Sequence, residues 1–281
     1  MRATLPDILQ HTRSEHRAVA GFNIFGLDEA YRVVAAAEQV GQPVIIMTNK
    51  EMVRMIPIEI LAPALQAVAD FASVPVCVHL DHTYELSIIE RAIAAGYSSV
   101  MYDGSQLPFD ENIAMTSEVV RMARRWGISV EGEIGSVSYN EIGNSIRHEL
   151  TKPLEAAQFA EETGVDAVTV SVGTIHKLTE PGAQVSRELV MEIFKAVSTP
   201  LVIHGTSGVN EADLRFMAAG RVAKFNIGTN LRQAWGHHTR GEFERRPKEF
   251  DRLMLTASAL DAIEQEAKRM ISLLAAPEEY K

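Results

Sequence analysis

A unit recurs along this chain: a helical stretch that stops at glycine, a few connecting residues, then a short run rich in Val, Ile and Ala. Gly41 precedes Val44–Met47, Gly96 precedes Val100–Tyr102, Gly127 precedes Ser129 and Val130, Gly164 precedes Ala167–Ser171, and Gly220 precedes Val222–Phe225. Glycine suits the left-handed residue that closes a helix, so each one is expected to mark the stop before a strand. One intervening helix is legible from end to end: Asn210 caps it, Asp213 follows three residues on, Leu214, Met217 and Ala218 share a face, and Gly220 stops it. Counting all such runs gives eight, around Val19–Phe25, Val44–Met47, Val76–Leu80, Val100–Tyr102, Val130–Ile134, Ala167–Val172, Leu201–Ile203 and Val222–Ile227. They are nearly continuous in apolar residues instead of alternating, as strands covered on both faces must be.

Eight strands alternating with helices predict an α/β chain folded as a (β/α)8 TIM barrel. An amphipathic helix from about Ala257 to Ala275 adds an extra C-terminal element, with Leu260, Ile263, Ala267, Ile271 and Leu274 on one face. A doubly wound open sheet is the competing architecture. Against it, no Gly-x-Gly-x-x-Gly follows the first strand, and polar residues collect after many strands rather than at one switch point. The 281 residues, 46% of them apolar, suffice for one large core, and residues 1–281 are read as a single catalytic domain.

Net charge narrows the partners. With 27 basic and 37 acidic residues the chain carries −10, which speaks against nucleic acid or an anionic membrane, so any phosphate site must be local. The lone Cys77 sits in the apolar run Val74–Val78 and is expected to be buried packing. No signal-peptide stretch opens the chain and no window reaches the roughly 20 apolar residues of a membrane helix, so the expected location is cytoplasmic.

Chemistry is expected at the carboxyl ends of the strands. His82 closes His79-Leu80-Asp81-His82 after strand three, His176 closes Gly173-Thr174-Ile175-His176 after strand six, and His204 opens the loop after strand seven. Imidazoles delivered from separate strands form a tripod suited to Zn2+ with a position left for water or substrate. His79 lies inside its strand and reads as structural; His11, His16, His148, His237 and His238 carry no pattern. Asp81 adjoins a proposed ligand and is placed to exchange a proton with a substrate hydroxyl. Glu131 and Glu133 alternate along strand five and share an inward face, so each needs a metal, a lysine or the other carboxylate as partner. Two small, glycine-rich segments, Gly205-Thr206-Ser207-Gly208 and Asn226-Ile227-Gly228-Thr229, follow strands seven and eight, where barrels commonly cradle phosphate with backbone N–H groups.

Taken in order, these motifs, with Asp103-Gly104-Ser105 after strand four, resemble the class II, zinc-dependent ketose-bisphosphate aldolases, a family that includes fructose- and tagatose-bisphosphate aldolases. The resemblance runs from about Gly21 to Arg232. It implies one zinc ion held by His82, His176 and His204, with Glu133 as an alternative ligand, and a monovalent cation as an optional helper. It implies that Asp81 exchanges the proton of the C4 hydroxyl while the metal polarises the C2 carbonyl, so that the C3–C4 bond of a phosphorylated ketose breaks. Dihydroxyacetone phosphate, or a close analogue, would be held by Gly205, Thr206, Ser207 and the segment Asn226, Ile227, Gly228 and Thr229. A homodimer or homotetramer is expected on the same ground.

Departures from the family pattern bear on substrate. Lys177 stands where the family usually has glycine, and either adds charge to the phosphate clamp or reshapes it for a different anion. The loop after strand five reads Ser136-Val137-Ser138-Tyr139-Asn140-Glu141-Ile142-Gly143 in place of the family's Gly-Gly and acidic residues, with Glu141 a candidate carrier for the C3 proton. Two other readings stay open: an imine-forming aldolase using Lys177 or Lys224, and a non-catalytic sugar-phosphate-binding subunit.

Overall fold

The apolar runs predicted from the sequence close on one another. In the computed structural model, which describes residues 1–139 and 149–275, eight parallel strands form a closed barrel. They are β1 (Val19–Asn23), β2 (Val44–Thr48), β3 (Val76–Thr83), β4 (Ser99–Tyr102), β5 (Ser129–Ile134), β6 (Ala167–Val170), β7 (Leu201–Ile203) and β8 (Val222–Ile227), each paired with its neighbours in sequence and β8 returning to β1. The open-sheet alternative is thereby excluded. A two-residue ladder outside the barrel joins Ser138 to Ile175 and Tyr139 to His176, tying the loop after β5 to the loop after β6.

Four of the five glycines read as helix stops do that work: Gly41, Gly96, Gly127 and Gly164 all have φ between +66° and +88°. Gly220 does not. It is the last residue of the helix Glu211–Gly220 and is required for another reason, since a Cβ there would lie 2.3 Å from Cε2 of the buried Phe194. The predicted start of that helix holds, with the Asn210 side chain accepting from the Asp213 N–H at 2.9 Å. The C-terminal helix is longer than expected, Arg252–Ala275, and buries Leu255, Ala259, Ile263, Ala267, Ile271 and Leu274; it packs on the helices Leu27–Val40 and Thr229–Arg245. Among the described residues no helix is long and apolar enough to cross a membrane.

The barrel interior is layered. At its amino end Ile45, Met47, Cys77, Ala167, Val202 and Ala223 pack against Leu5, Ile8 and Leu9 of a short helix, Leu5–Leu9, that the sequence patterning did not reveal. Thr4 caps that helix in a reciprocal pair with Asp7, and the Leu5 N–H donates to the Ser129 hydroxyl at 3.1 Å, which fixes the plug under the barrel. Cys77 is buried in this layer, as expected, and burial raises its thiol pKa. Above lies a polar layer of His79, Ser99, Glu131, Thr169 and Lys224, all fully buried. The carboxyl rim, with the histidines, sits on top of it.

Because a Cβ at position 220 forces the Phe194 ring to shift, Gly220→Ala is expected to destabilise the fold by about 1–3 kcal/mol. The check is a lower urea midpoint with an unchanged slope.

Candidate metal centre and active site

Three strand ends bring His82, His176 and His204 together: one ring nitrogen from each lies within 4.8 Å of the others. The ring centroids are 4.6 Å apart for His82 and His204, 5.2 Å for His82 and His176, and 5.8 Å for His176 and His204. His82 Nε2 and His204 Nδ1 face each other at 2.8 Å. Two ring nitrogens that close need a shared hydrogen or a metal ion between them. A second trio, His82, Asp103 and Glu133, also has ligand atoms within that spacing.

The backbone of β3 explains how neighbouring residues both reach the rim. Strand alternation aims Asp81 and His82 to opposite faces. The register against β4 shifts between Leu80 and Thr83, and His82 adopts φ +45° within that irregularity. A bulge of this kind re-aims one side chain, so Asp81 and His82 both face the mouth. His82 Nδ1 is then held by the Asp103 carboxylate at 2.9 Å, and Asp103 in turn accepts from the Ser105 hydroxyl at 2.7 Å. Burial opposes charge on His82, but Asp81 and Asp103 outweigh it and raise the imidazole's pKa to about 10. His176 is shifted the other way, far below its ordinary value, by burial and by repulsion from the neighbouring His82 and His204 rings.

Asp81 is 1% exposed and sits between two amides: Asn23 Nδ2 donates to one oxygen at 2.8 Å and Asn226 Nδ2 to the other at 2.9 Å. Burial pushes its pKa up, yet His82, His204 and Lys224 together hold it below the usual carboxylate value. The side-chain oxygens of Asn23 and Asn226 are buried without a hydrogen-bond partner, as is Glu133 Oε2. Buried acceptors of this kind call for a ligand, a proton donor or a cation. Burial, reinforced by Asp103, drives the Glu133 pKa well above its ordinary value, while its Oε2 stands 3.8 Å from His82 Nδ1.

Glu131, the other inward carboxylate of β5, has a different partner set. Lys224 Nζ donates to its Oε2 at 2.5 Å, and its Oε1 meets the Thr169 hydroxyl at 2.7 Å and His204 Nε2 at 3.0 Å. Lys224 and His204 overcome the burial penalty and keep Glu131 ionised well below the carboxylate norm. Lys224 is thus committed to an ion pair beneath the site and completely enclosed, which removes it as the imine-forming nucleophile. His79 also belongs to this layer: it bonds Ser99 at 2.8 Å, and burial together with Lys224 lowers its pKa to about 3.

The glycine-rich segments lie beside the tripod. Gly205 has φ +68°, and a Cβ there would come within 2.7 Å of the Ile175 carbonyl carbon, so glycine is required where the loop after His204 passes under the loop carrying His176. Thr206–Gly208 form a single tight turn, and the Thr206 hydroxyl donates to the Asn226 carbonyl at 2.8 Å. Ser207 is half-buried in that turn; Gly228 and Thr229 open the helix Thr229–Arg245. Ile227 departs from expectation, since its side chain is buried in the layer between barrel and helices and only its main chain faces the rim. Lys177 holds φ +61°, the conformation a glycine takes without strain. Glu141 and His148 lie outside the described residues.

A cavity of about 390 Å3 opens from the tripod. His82, His176 and Glu133 line it together with Lys50, Tyr84 and Tyr102. Sequence reasoning did not single out Asn23, Lys50 or Tyr84, which follow no motif, and quoted Asp103 without giving it a part.

The profile of the family described as Fructose-bisphosphate aldolase class-II matches residues 3–278. The chain belongs to that family. It is 33% identical to the 6-phospho-5-dehydro-2-deoxy-D-gluconate aldolase of Bacillus licheniformis, over 94% of this chain and 92% of the relative. It is 31% identical to the sulfofructosephosphate aldolase of Alkalicoccus urumqiensis, over 86% of each. Among solved structures, the YdjI aldolase from Escherichia coli K12 superposes with a TM-score of 0.85 over 100% of both chains at 30% identity. The expectation of an aldolase, a carbon–carbon lyase of the class II type, is met.

Removing one member of the buried ion pair leaves the other as an uncompensated charge. Lys224→Met is therefore expected to cost about 3–5 kcal/mol, and the double variant Lys224→Met/Glu131→Gln to recover a large part of it. Denaturant unfolding of the three proteins measures both.

Proposed function

We propose that residues 1–281 form a single catalytic domain, a zinc-dependent aldolase that cleaves a phosphorylated ketose reversibly into dihydroxyacetone phosphate and an aldehyde. The observation that carries this reading is the meeting of three imidazoles, His204 fully buried and His82 and His176 partly so, beside a carboxylate held by two amides. The donor set fits the metal: His176 and His204 are biased toward the neutral form that binds a cation, and the Asp103 carboxylate on His82 Nδ1 leaves Nε2 as the ligand atom. Glu133, with an unpartnered buried oxygen in reach of His82, is the alternative ligand. When bound, the ion supplies Lewis-acid polarisation of the ketose C2 carbonyl.

The chain's own residues do the rest. Asp81 takes the proton of the C4 hydroxyl, the C4–O bond becomes a carbonyl, the C3–C4 electron pair stays with the three-carbon fragment, which takes a proton from solvent at C3, and Asp81 returns its proton to solvent. Asn23 and Asn226 fix both oxygens of Asp81 and offer their own amide oxygens to substrate hydroxyls. The phosphate lies against Gly205, Thr206 and Ser207 and the Asn226, Ile227, Gly228 and Thr229 segment, through backbone N–H groups and the amino end of the helix Thr229–Arg245, with Lys177 adding charge. The relatives' names pair a phosphate with a second acidic function, gluconate in one and a sulfo group in another, so a ketose acidic at both ends is the substrate class. Exposed Phe243, Phe250, Leu253 and Met254, near the junction of the last two helices, support a homodimer or homotetramer, and the setting is cytoplasmic.

Elemental analysis is expected to find about one zinc ion per chain. His204→Ala loses metal and turnover together, whereas Asp81→Asn keeps the metal and loses about 10²- to 10⁴-fold in kcat. Asp103→Ala is expected to weaken metal affinity by about 10- to 100-fold in a chelator competition, with the fold intact. Retention of full activity by Asp81→Asn would sink the assignment.

A further inference from the structure

The closed strand order puts the two ends of a substrate on opposite walls. Around the ring, β7 and β8, whose loops carry the glycine-rich turns, stand across from β3 and β4. The 390 Å3 cavity lies on the β3–β4 side and includes no residue of the 205–208 or 226–229 segments. Its volume falls within the range of small-molecule sites. With the phosphate on the β7–β8 wall and the tripod in the middle, the fragment released as aldehyde extends into this cavity.

Its charge is uneven. The inner members include the carboxylates Asp103 and Glu133, both engaged around His82, and the outer members include Lys50 and Tyr84, which is 51% exposed. Among the described residues Lys50 is the only lysine or arginine lining the cavity. Asn49 fixes the turn before it by accepting from the Met52 N–H at 3.2 Å, and Lys50 Nζ donates to the Tyr84 hydroxyl at 2.8 Å. That contact uses one of the ammonium's three donors and leaves the phenol proton free to point outward. An anchored ammonium beside a phenol O–H is a site for an oxyanion.

We propose that Lys50 and Tyr84 form the subsite that binds a negatively charged group at the far end of the aldehyde half, a phosphate or a carboxylate, and so select the substrate. The inference rests on the aldolase reading. The test is aldol addition to dihydroxyacetone phosphate by the zinc-loaded full chain, with two matched pairs of acceptors: glyceraldehyde 3-phosphate against glyceraldehyde, and 4-oxobutanoate against butanal.

In at least one pair the charged aldehyde is expected to have a kcat/KM about ten-fold or more above its neutral partner, an advantage that shrinks with added salt. The pair that shows it identifies the anion. Lys50→Met lowers the charged-to-neutral ratio about ten-fold, Lys50→Glu inverts it, Lys50→Arg keeps it within about three-fold, and Tyr84→Phe reduces it. No preference in either pair, or a preference that survives Lys50→Met and Lys50→Glu, overturns the subsite while leaving the aldolase standing. Failure to consume dihydroxyacetone phosphate with any acceptor overturns the aldolase reading itself and the subsite with it.

Discussion

A carboxylate enclosed in the middle of a barrel has to be answered by a positive charge, and the Glu131–Lys224 pair is that answer. Burying either alone would cost several kcal/mol. Together, at 2.5 Å, they make a polar layer compatible with the apolar layer beneath it. The pair also gives the rim its electrostatic base. Glu131 is aimed at His204 Nε2 through its second oxygen, so the orientation of that ring follows from the ion pair below. Lys224 in turn contributes to holding Asp81 ionised. The geometry of the rim is therefore inherited from a contact that no ligand touches.

On top of this layer, charge is arranged in alternation. Asp81, Asp103 and Glu133 surround His82, whose pKa is shifted upward, while His176 and His204 are shifted downward and held toward neutrality. The two carboxylates held ionised, Asp81 and Asp103, outnumber the one imidazolium beside them, and that net negative charge favours a divalent cation in their midst and disfavours an anion approaching from that direction. On the proposed reading an anionic substrate finds its counter-charges at the periphery, on the glycine-rich turns on one wall and at Lys50 on the other.

The sequence disclosed most of the barrel and the three histidines, because those features are periodic or occupy equivalent positions. Eight apolar runs and their glycine stops repeat, and each histidine stands at a strand end. What it hid was local or depended on partners distant in the chain. Asp103 lies 21 residues from the histidine it orients, and Asn23 lies 58 residues from Asp81. No spacing rule links them. The β3 bulge that turns His82 toward the mouth is a backbone irregularity, invisible to an alternation argument that would have sent the two side chains apart. Gly220 was legible as a glycine that mattered, but for φ instead of for Phe194. Ile227 was grouped with the phosphate segment as a stretch of sequence, whereas alternation along β8 gives its side chain to the helices and leaves Asn226 to the site.

The helix Leu5–Leu9 seals the amino end of the strands with Leu5, Ile8 and Leu9, none more than 3% exposed. A barrel stoppered in this way is a cup with one mouth. Whatever enters leaves by the same route, so departing product and arriving solvent must share a single doorway. A proton released deep in the cup has no back exit and must travel outward past the histidines.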